Sequence, residues 1–341
     1  MISQTVIPTG FEQRQRHDAA RLFSLIGSEL AQVEAEFARQ AQSNVQIINS
    51  LNEYLQRSGG KRVRPALLLL SCYATGGDAS RHNAIRMAAV MEFLHTATLV
   101  HDDIIDNAQL RRDQPSVNER YGNQIAVLLG DWLYMTAFET SLAERSLEIL
   151  DVLTSVTRRM VEGELLQLSA VGDINISEQT YFDILRRKTA YLFSACCEIG
   201  AILSGADEAR QASLRDYGMN LGTAFQLADD LLDFTETEET LGKPAGVDLP
   251  EGKITLPLIY LLEREPSIGR RASEIIQAGA YTSFTRGDLI EVAQSSGALD
   301  EARNQARLYA DTARRALDRV PFSDYTEALR DIPDFIVERE R

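Results

Sequence analysis

The segment HDDIID places Asp102, Asp103 and Asp106 together, and ADDLLD repeats the pattern at Asp229, Asp230 and Asp233, 127 residues later. The chain holds 23 aspartates, and random placement would produce roughly 0.1 such Asp-Asp-x-x-Asp matches. Two is a signal. On an α-helix, residues four apart lie one turn apart on the same face. Asp102 and Asp106 therefore project side by side, as do Asp229 and Asp233. Like charges at that spacing repel by roughly a few tenths of a kcal/mol. Both clusters follow apolar stretches, LHTATLV and LGTAFQL, so neither continues a polar stripe. A solvated acidic helix end or an N-cap is the bland explanation; a bound cation relieves the repulsion at both places. Carboxylate oxygens suit a hard ion, and Mg²⁺ held by few carboxylates keeps places for water and phosphate oxygens.

Three basic islands stand against these clusters: Gly59-Gly60-Lys61-Arg62-Val63-Arg64-Pro65, Arg111-Arg112, and Arg186-Arg187-Lys188-Thr189. Arginine offers a planar donor fork matched to phosphate oxygens, and lysine a point charge. The first island is not a Walker A loop, because Leu55 stands where that motif begins and Arg62 follows the lysine. Each alone could be surface charge. Together with two metal-type clusters, they suggest a diphosphate chelated by Mg²⁺ and clamped by Lys and Arg.

Composition narrows the partners. Of 341 residues, 44% are hydrophobic and 25% charged, with a net charge of −15 and an isoelectric point near 4.8. Such a balance argues against nucleic acid, whose binding needs Lys and Arg to displace counterions, and against docking on anionic lipid. Residues 229–251 alone carry −7, so much of the acidity sits beside the second motif. Cys72, Cys196 and Cys197 suit neither a disulfide framework nor a zinc site and read as small buried residues. The opening MISQTVIPTGFEQRQRHDAARLF has no apolar core ahead of a cleavage site. The longest apolar runs, such as ITLPLIYLL, fall short of the roughly 18 residues that span a bilayer. A cytoplasmic protein without a transmembrane segment is expected.

Long helices must position these residues. No proline falls between Pro65 and Pro115 or between Pro115 and Pro244, and the stretches between are rich in helix formers. Ile85, Ala88, Ala89, Phe93, Thr96 and Val100 recur at helical spacing, as do Leu128, Trp132, Met135 and Glu139. The pattern predicts helices over 14–43, 46–57, 65–76, 81–107, 116–140, 144–170, 178–204, 210–235, 252–263, 270–278, 285–295, 299–319 and 324–338. Alternating strand patterns are absent. One all-α domain fits: residues 41–341 as the catalytic domain, preceded by a helical extension, residues 1–40, without a motif. The polar break from Thr235 to Lys253 has the length of a functional lid.

The segments GGKRVRP, HTATLVHDDIID followed by RR, GDWLYMTAF, EGELLQL, RKTAYLF, GTAFQLADDLLDF and LGK…DLPEGKITLPLI resemble the trans-isoprenyl diphosphate synthases, most of all the bacterial long-chain, octaprenyl-type branch. The match runs from about residue 45 to the C-terminus with the motifs in order. The resemblance implies a helical bundle of the isoprenoid synthase type with a central product cavity, a homodimer, and repeated condensation of isopentenyl diphosphate onto an allylic diphosphate. It further implies three Mg²⁺ ions, with Mn²⁺ as a substitute, held by Asp102, Asp106 and Asp229 most directly and by Asp103, Asp230 and Asp233 beside them. By the same resemblance Arg111, Lys188, Lys243 and Lys253 clamp the allylic diphosphate, Thr189 and Gln226 lie near the nascent cation, and Lys61, Arg64, His95 and Arg112 hold isopentenyl diphosphate. His95, seven residues before Asp102 on the same face, would otherwise read as a core histidine.

Such chemistry ionises an allylic C–O bond, so fixed cations stabilise the departing diphosphate, and water must be excluded. No protein nucleophile is needed. Ala97 and Thr98 lie one turn below the metal site and are small, leaving the first floor of a product channel open. An isoprene unit of about 5 Å nearly matches the 5.4 Å helical pitch, so eight units need roughly 40 Å. The tail is expected to bend between this helix and the one carrying Met135, Phe138 and Glu139, giving C40, with C45 or C50 as neighbours and C15–C20 as the alternative. The product would supply a quinone side chain, with transient membrane contact at release. A class I terpene cyclase would need no isopentenyl diphosphate clamp. A non-catalytic partner subunit would show a degraded motif, and an acidic helical interaction protein would release no diphosphate.

Overall fold

The computed structural model describes residues 24–57, 59–112, 114–235 and 246–337. Lys243, most of the Thr235–Lys253 loop and the start of the helix expected over 14–43 lie outside them. Among the described residues the chain is built almost wholly of helix: α1 (Gly27–Gln40), α2 (Gln46–Arg57), α3 (Val63–Ala74), α4 (His82–Ile105), α5 (Val117–Tyr121), α6 (Asn123–Ser141), α7 (Leu147–Ala170), α8 (Glu178–Leu185), α9 (Tyr191–Leu203), α10 (Glu208–Thr235), α11 (Leu256–Arg264), α12 (Gly269–Ala278), α13 (Arg286–Ser295), α14 (Ala298–Ala316) and α15 (Asp324–Val337). Several starts are set by side-chain caps: Ser116, Ser146 and Ser177 each accept a backbone N–H from three residues on. Thr285 and Asp288 form a reciprocal capping box.

Three local departures from the expected helices have local causes. The helix expected over 116–140 is two, because Gly122 adopts φ +86°, outside helical space. The helix expected over 178–204 contains a π turn at Arg186–Ala190. A two-residue antiparallel pair joins Leu110–Arg111 to Gln114–Pro115, too short for alternation to reveal it.

Helix α4 is the axis of the molecule, buried nearly all round from Ala84 to Leu94. Around it α3, α6, α9, the first half of α10 and α15 enclose one apolar cluster. The second half of α10 joins α8 and α11–α14 in another, through Leu227, Leu231 and Phe234. Helix α10 belongs to both. Helix α1 is part of the first cluster: Ile26, Val33 and Phe37 are buried, and Phe37 stacks on Phe93 with ring centroids 4.0 Å apart.

The stripe Leu128, Trp132, Met135 and Glu139 requires a correction. Helix α6 turns Ala126, Leu129, Leu133 and Ala137 into the core. Leu128 and Met135 are 67% and 62% exposed. At 100° per residue, Met135 lies about 200° round from Leu133, so both faces are apolar and the periodicity matched the outer one. Among the described residues no helix is long and apolar enough to cross a membrane.

Candidate active site

The two aspartate clusters occupy the last turns of α4 and α10. The ends of these helices meet across a cavity of about 370 Å³, whose wall includes Asp102, Asp106, Asp229, Asp230, Lys188, Lys253, Thr189, Gln226, Arg64 and His95. The two outer carboxylates of the first motif thus face the second motif across one space. Burial pushes the Asp102 carboxyl up to about 6; Lys188 opposes the shift, and Glu164 and Asp106 add to it.

The second aspartate of each pair is employed differently. Asp103 is buried and faces away from the cavity, bound by Arg111 through Nε at 2.8 and 2.9 Å and Nη2 at 2.6 Å. Asp230 accepts from the Tyr181 hydroxyl at 2.5 Å and from Gln226 Nε2 at 2.8 Å. Burial raises its pKa, with those two hydrogen bonds acting against the rise. Asp233 is also buried and off the cavity wall; its backbone carbonyl accepts from Gly246 N–H and from Arg286.

The cationic side is held by partners the sequence reading did not single out. Lys188 Nζ lies 2.7 Å from Glu164 and 2.9 Å from Gln167, both on α7. Their three-residue spacing within EGELLQL could have signalled a shared face. Helix α7 approaches the π turn closely because residue 163 is glycine. A Cβ there would lie 2.6 Å from Arg187 Cβ and 3.1 Å from the Lys188 nitrogen. Lys253 bridges Asp106 at 3.1 Å and Glu251 at 2.9 Å. Burial would lower its pKa, but these two carboxylates raise it above the ordinary lysine value.

Arg64 also lines the cavity, and its guanidinium lies 5.0 Å from the Phe193 ring centroid. Its buried Nε has no hydrogen-bond partner among the described residues. Burial and the charges of Arg64 and Arg112 hold the His95 pKa well below the usual imidazole value. Lys61 is exposed and is not part of the cavity wall. Arg111 and Arg112 line a neighbouring cleft with Asp103, Arg62 and Glu92. Arg62, at φ +50°, is gripped by Glu34 of α1 and by Glu92 at 2.5 Å.

Of the residues expected to govern product length, only Thr98 reaches the cavity. Ala97 is fully buried, Phe138 packs against the core, and Met135 is on the outer surface. The apolar lining comes instead from Leu99, Met160, Ile184, Leu192 and Phe225.

Among the described residues, no three carboxylate, imidazole or thiolate groups converge on one point. Asp102, Asp106 and Asp229 nonetheless present an oxygen-only donor set around a shared space. That fits a hard cation completed by water and a phosphate ligand better than an all-protein cage.

The Polyprenyl synthetase family model matches residues 45–285. The chain belongs to the polyprenyl synthetase family. It is 38% identical over 322 residues to the octaprenyl diphosphate synthase of Escherichia coli K12, covering 94% of this chain and 99% of that one. It is also 38% identical over 319 residues to the all-trans-nonaprenyl-diphosphate synthase (geranyl-diphosphate specific) of Rhodobacter capsulatus, covering 91% and 97%. The polyprenyl synthase of Caulobacter crescentus CB15, solved with calcium and isoprenyl diphosphate, superposes with a TM-score of 0.89 at 41% identity, covering 95% of this chain and 98% of that one. The fold is therefore the all-helical isoprenoid synthase fold, and the chain is an enzyme of the trans-polyprenyl diphosphate synthase class.

Proposed function

We propose that this prenyltransferase adds isopentenyl diphosphate repeatedly to farnesyl or geranylgeranyl diphosphate and delivers all-trans C40 octaprenyl diphosphate. The observation that carries this reading is the facing of Asp102 and Asp106 by Asp229 across one cavity whose other walls bear Lys188, Lys253, Arg64 and His95. Asp102, Asp106 and Asp229 would hold Mg²⁺, three ions with Mn²⁺ as substitute, and the bound metal would neutralise diphosphate charge as the allylic C–O bond breaks.

Lys188 and Lys253 bind and orient the allylic diphosphate, joined from the neighbouring cleft by Arg111; Lys243 completes that set. Arg64 and His95, with Arg112 and the exposed Lys61, hold isopentenyl diphosphate so that its alkene meets the allylic carbon. The partnerless Nε of Arg64 supports an anionic occupant on that side. Oxygens of Thr189 and Gln226 face the nascent cation, while Met160, Leu192 and Phe225 keep water away. The carbon–carbon bond forms as the alkene attacks, and the released diphosphate takes the proton that restores the double bond.

The outer faces of α6 and α7 support a homodimer. Leu128 and Met135 on one, and Leu165 and Leu168 on the other, at 62% and 48% exposure, are exposed apolar side chains of the kind a second copy covers. The enzyme would work in the cytoplasm, touch the membrane only at product release, and serve a quinone side chain.

Incubation with labelled isopentenyl diphosphate, farnesyl diphosphate and Mg²⁺ tests the reading. Chromatography of the dephosphorylated products is expected to show C40; products of only C15 or C20 would overturn the long-chain assignment. Absence of any diphosphate release would overturn the activity.

A further inference from the structure

A chain of hydrogen bonds runs from the cavity into the protein. The Thr189 hydroxyl donates to Gln226 Oε1 at 2.8 Å, Gln226 Nε2 donates to Asp230 Oδ1 at 2.8 Å, and the Tyr181 hydroxyl donates to Asp230 Oδ2 at 2.5 Å. Ionised, Asp230 is acceptor-only, so every donor in the chain points toward it. We propose that Tyr181, on α8, is a positioning residue for allylic ionisation, fixing through Asp230 the direction in which Gln226 and Thr189 present their oxygens. This inference rests on the prenyl-transfer reading above.

Direction matters because an amide can be seated two ways. With its NH₂ committed to Asp230, Gln226 turns its carbonyl toward Thr189, whose own proton is thereby drawn away from the cavity. The Thr189 oxygen then offers lone pairs to the developing cation. Reversed, the chain would point N–H and O–H dipoles, positive end first, at the same place and raise the barrier. Tyr181 holds the carboxylate in this orientation: its hydroxyl takes Asp230 Oδ2 and leaves Oδ1 turned to the Gln226 amide. Tyr181 is 6% exposed, and its hydroxyl donates its one proton to Asp230.

Four proteins test the idea: the unaltered chain, Tyr181→Phe, Gln226→Ala and the double variant, each assayed for turnover and for unfolding in denaturant. Tyr181→Phe is expected to lower kcat about tenfold while leaving KM for both diphosphates within about twofold. In the Gln226→Ala background the same change should cost little more, because the residue it serves is gone. A full tenfold loss in that background, or an unaltered kcat in Tyr181→Phe, overturns the proposal. If the unaltered chain does not turn over, the prenyl-transfer reading fails, and the unfolding data decide the hydrogen-bonded chain separately. Less-than-additive destabilisation supports it, and additive destabilisation overturns it.

Discussion

Arg111 covers both carboxylate oxygens of Asp103, although Asp103 is the immediate neighbour of a residue on the cavity wall. Adjacent residues on a helix point about 100° apart, which turns Asp103 to Arg111 and Asp102 to the cavity. Asp103→Ala should therefore act on stability, lowering it by about 2 kcal/mol in denaturant titration, since it strands part of a buried pair. Asp102→Asn should do the opposite. Burial holds its acid pKa near 6, so at pH 7 without metal the ionised form weakens the fold. Its replacement should add about 1 kcal/mol of stability while diphosphate release falls at least about a hundredfold. Equal stability losses in both variants would contradict the division.

His95 should remain neutral in the folded protein. Its pKa is lowered first by burial and then by Arg64, Arg112 and Arg111. The unfolded chain, with an ordinary imidazole near pH 6.5, therefore binds a proton that the folded chain refuses. That contribution to stability is fully present above pH 6.5 and is lost as pH falls, by about 1 kcal/mol over the next unit. The imidazole carbon-bound proton shifts should not move between pH 5.5 and 8, and His95→Gln should flatten the pH dependence of unfolding. A midpoint for His95 above 6 would refute this.

Residues 24–40 carry no motif, yet they complete the core. Phe37→Ala should cost about 3 kcal/mol through loss of the stack on Phe93, and deletion through residue 40 should leave an aggregating chain. A truncated protein that unfolds cooperatively with unchanged midpoint would show instead that residues 41–341 stand alone.

Of the residues expected to govern product length, Thr98 is the one on the cavity wall. Thr98→Tyr projects into the cavity and should shorten the product by several isoprene units on chromatography. Ala97→Tyr has no such space, for Ala97 is fully buried within the packing of α4. It should cost about 3 kcal/mol or more by overpacking before it changes any product. A folded Ala97→Tyr enzyme with a shortened product would restore that residue as the channel floor.

Helix positions and the pairing of Asp102, Asp106 and Asp229 were legible because they rest on period and on repeated residue types. What was not legible depended on direction. Spacing cannot say that Asp103 turns to Arg111, or that of two apolar faces on α6 the one bearing Leu133 packs inward while Met135 faces out. Tyr181 had no local signal at all, since its partner lies 49 residues away on another helix. Gly163 likewise acquires meaning only from the backbone of the π turn against it. The grip of Glu34 on Arg62 joins segments 28 residues apart, one of them without any motif.

Both aspartate clusters lie in the final turns of long helices, of 24 and 28 residues. Each such terminus carries roughly half a negative charge from its aligned peptide dipoles, so the backbone reinforces the carboxylates. Opposite in sign to the Lys188, Lys253 and Arg64 side chains on the same cavity, both helix ends turn toward a diphosphate a field of its own sign. If the site works as proposed, the direction in which these two helices run would favour a diphosphate that arrives already paired with its cations.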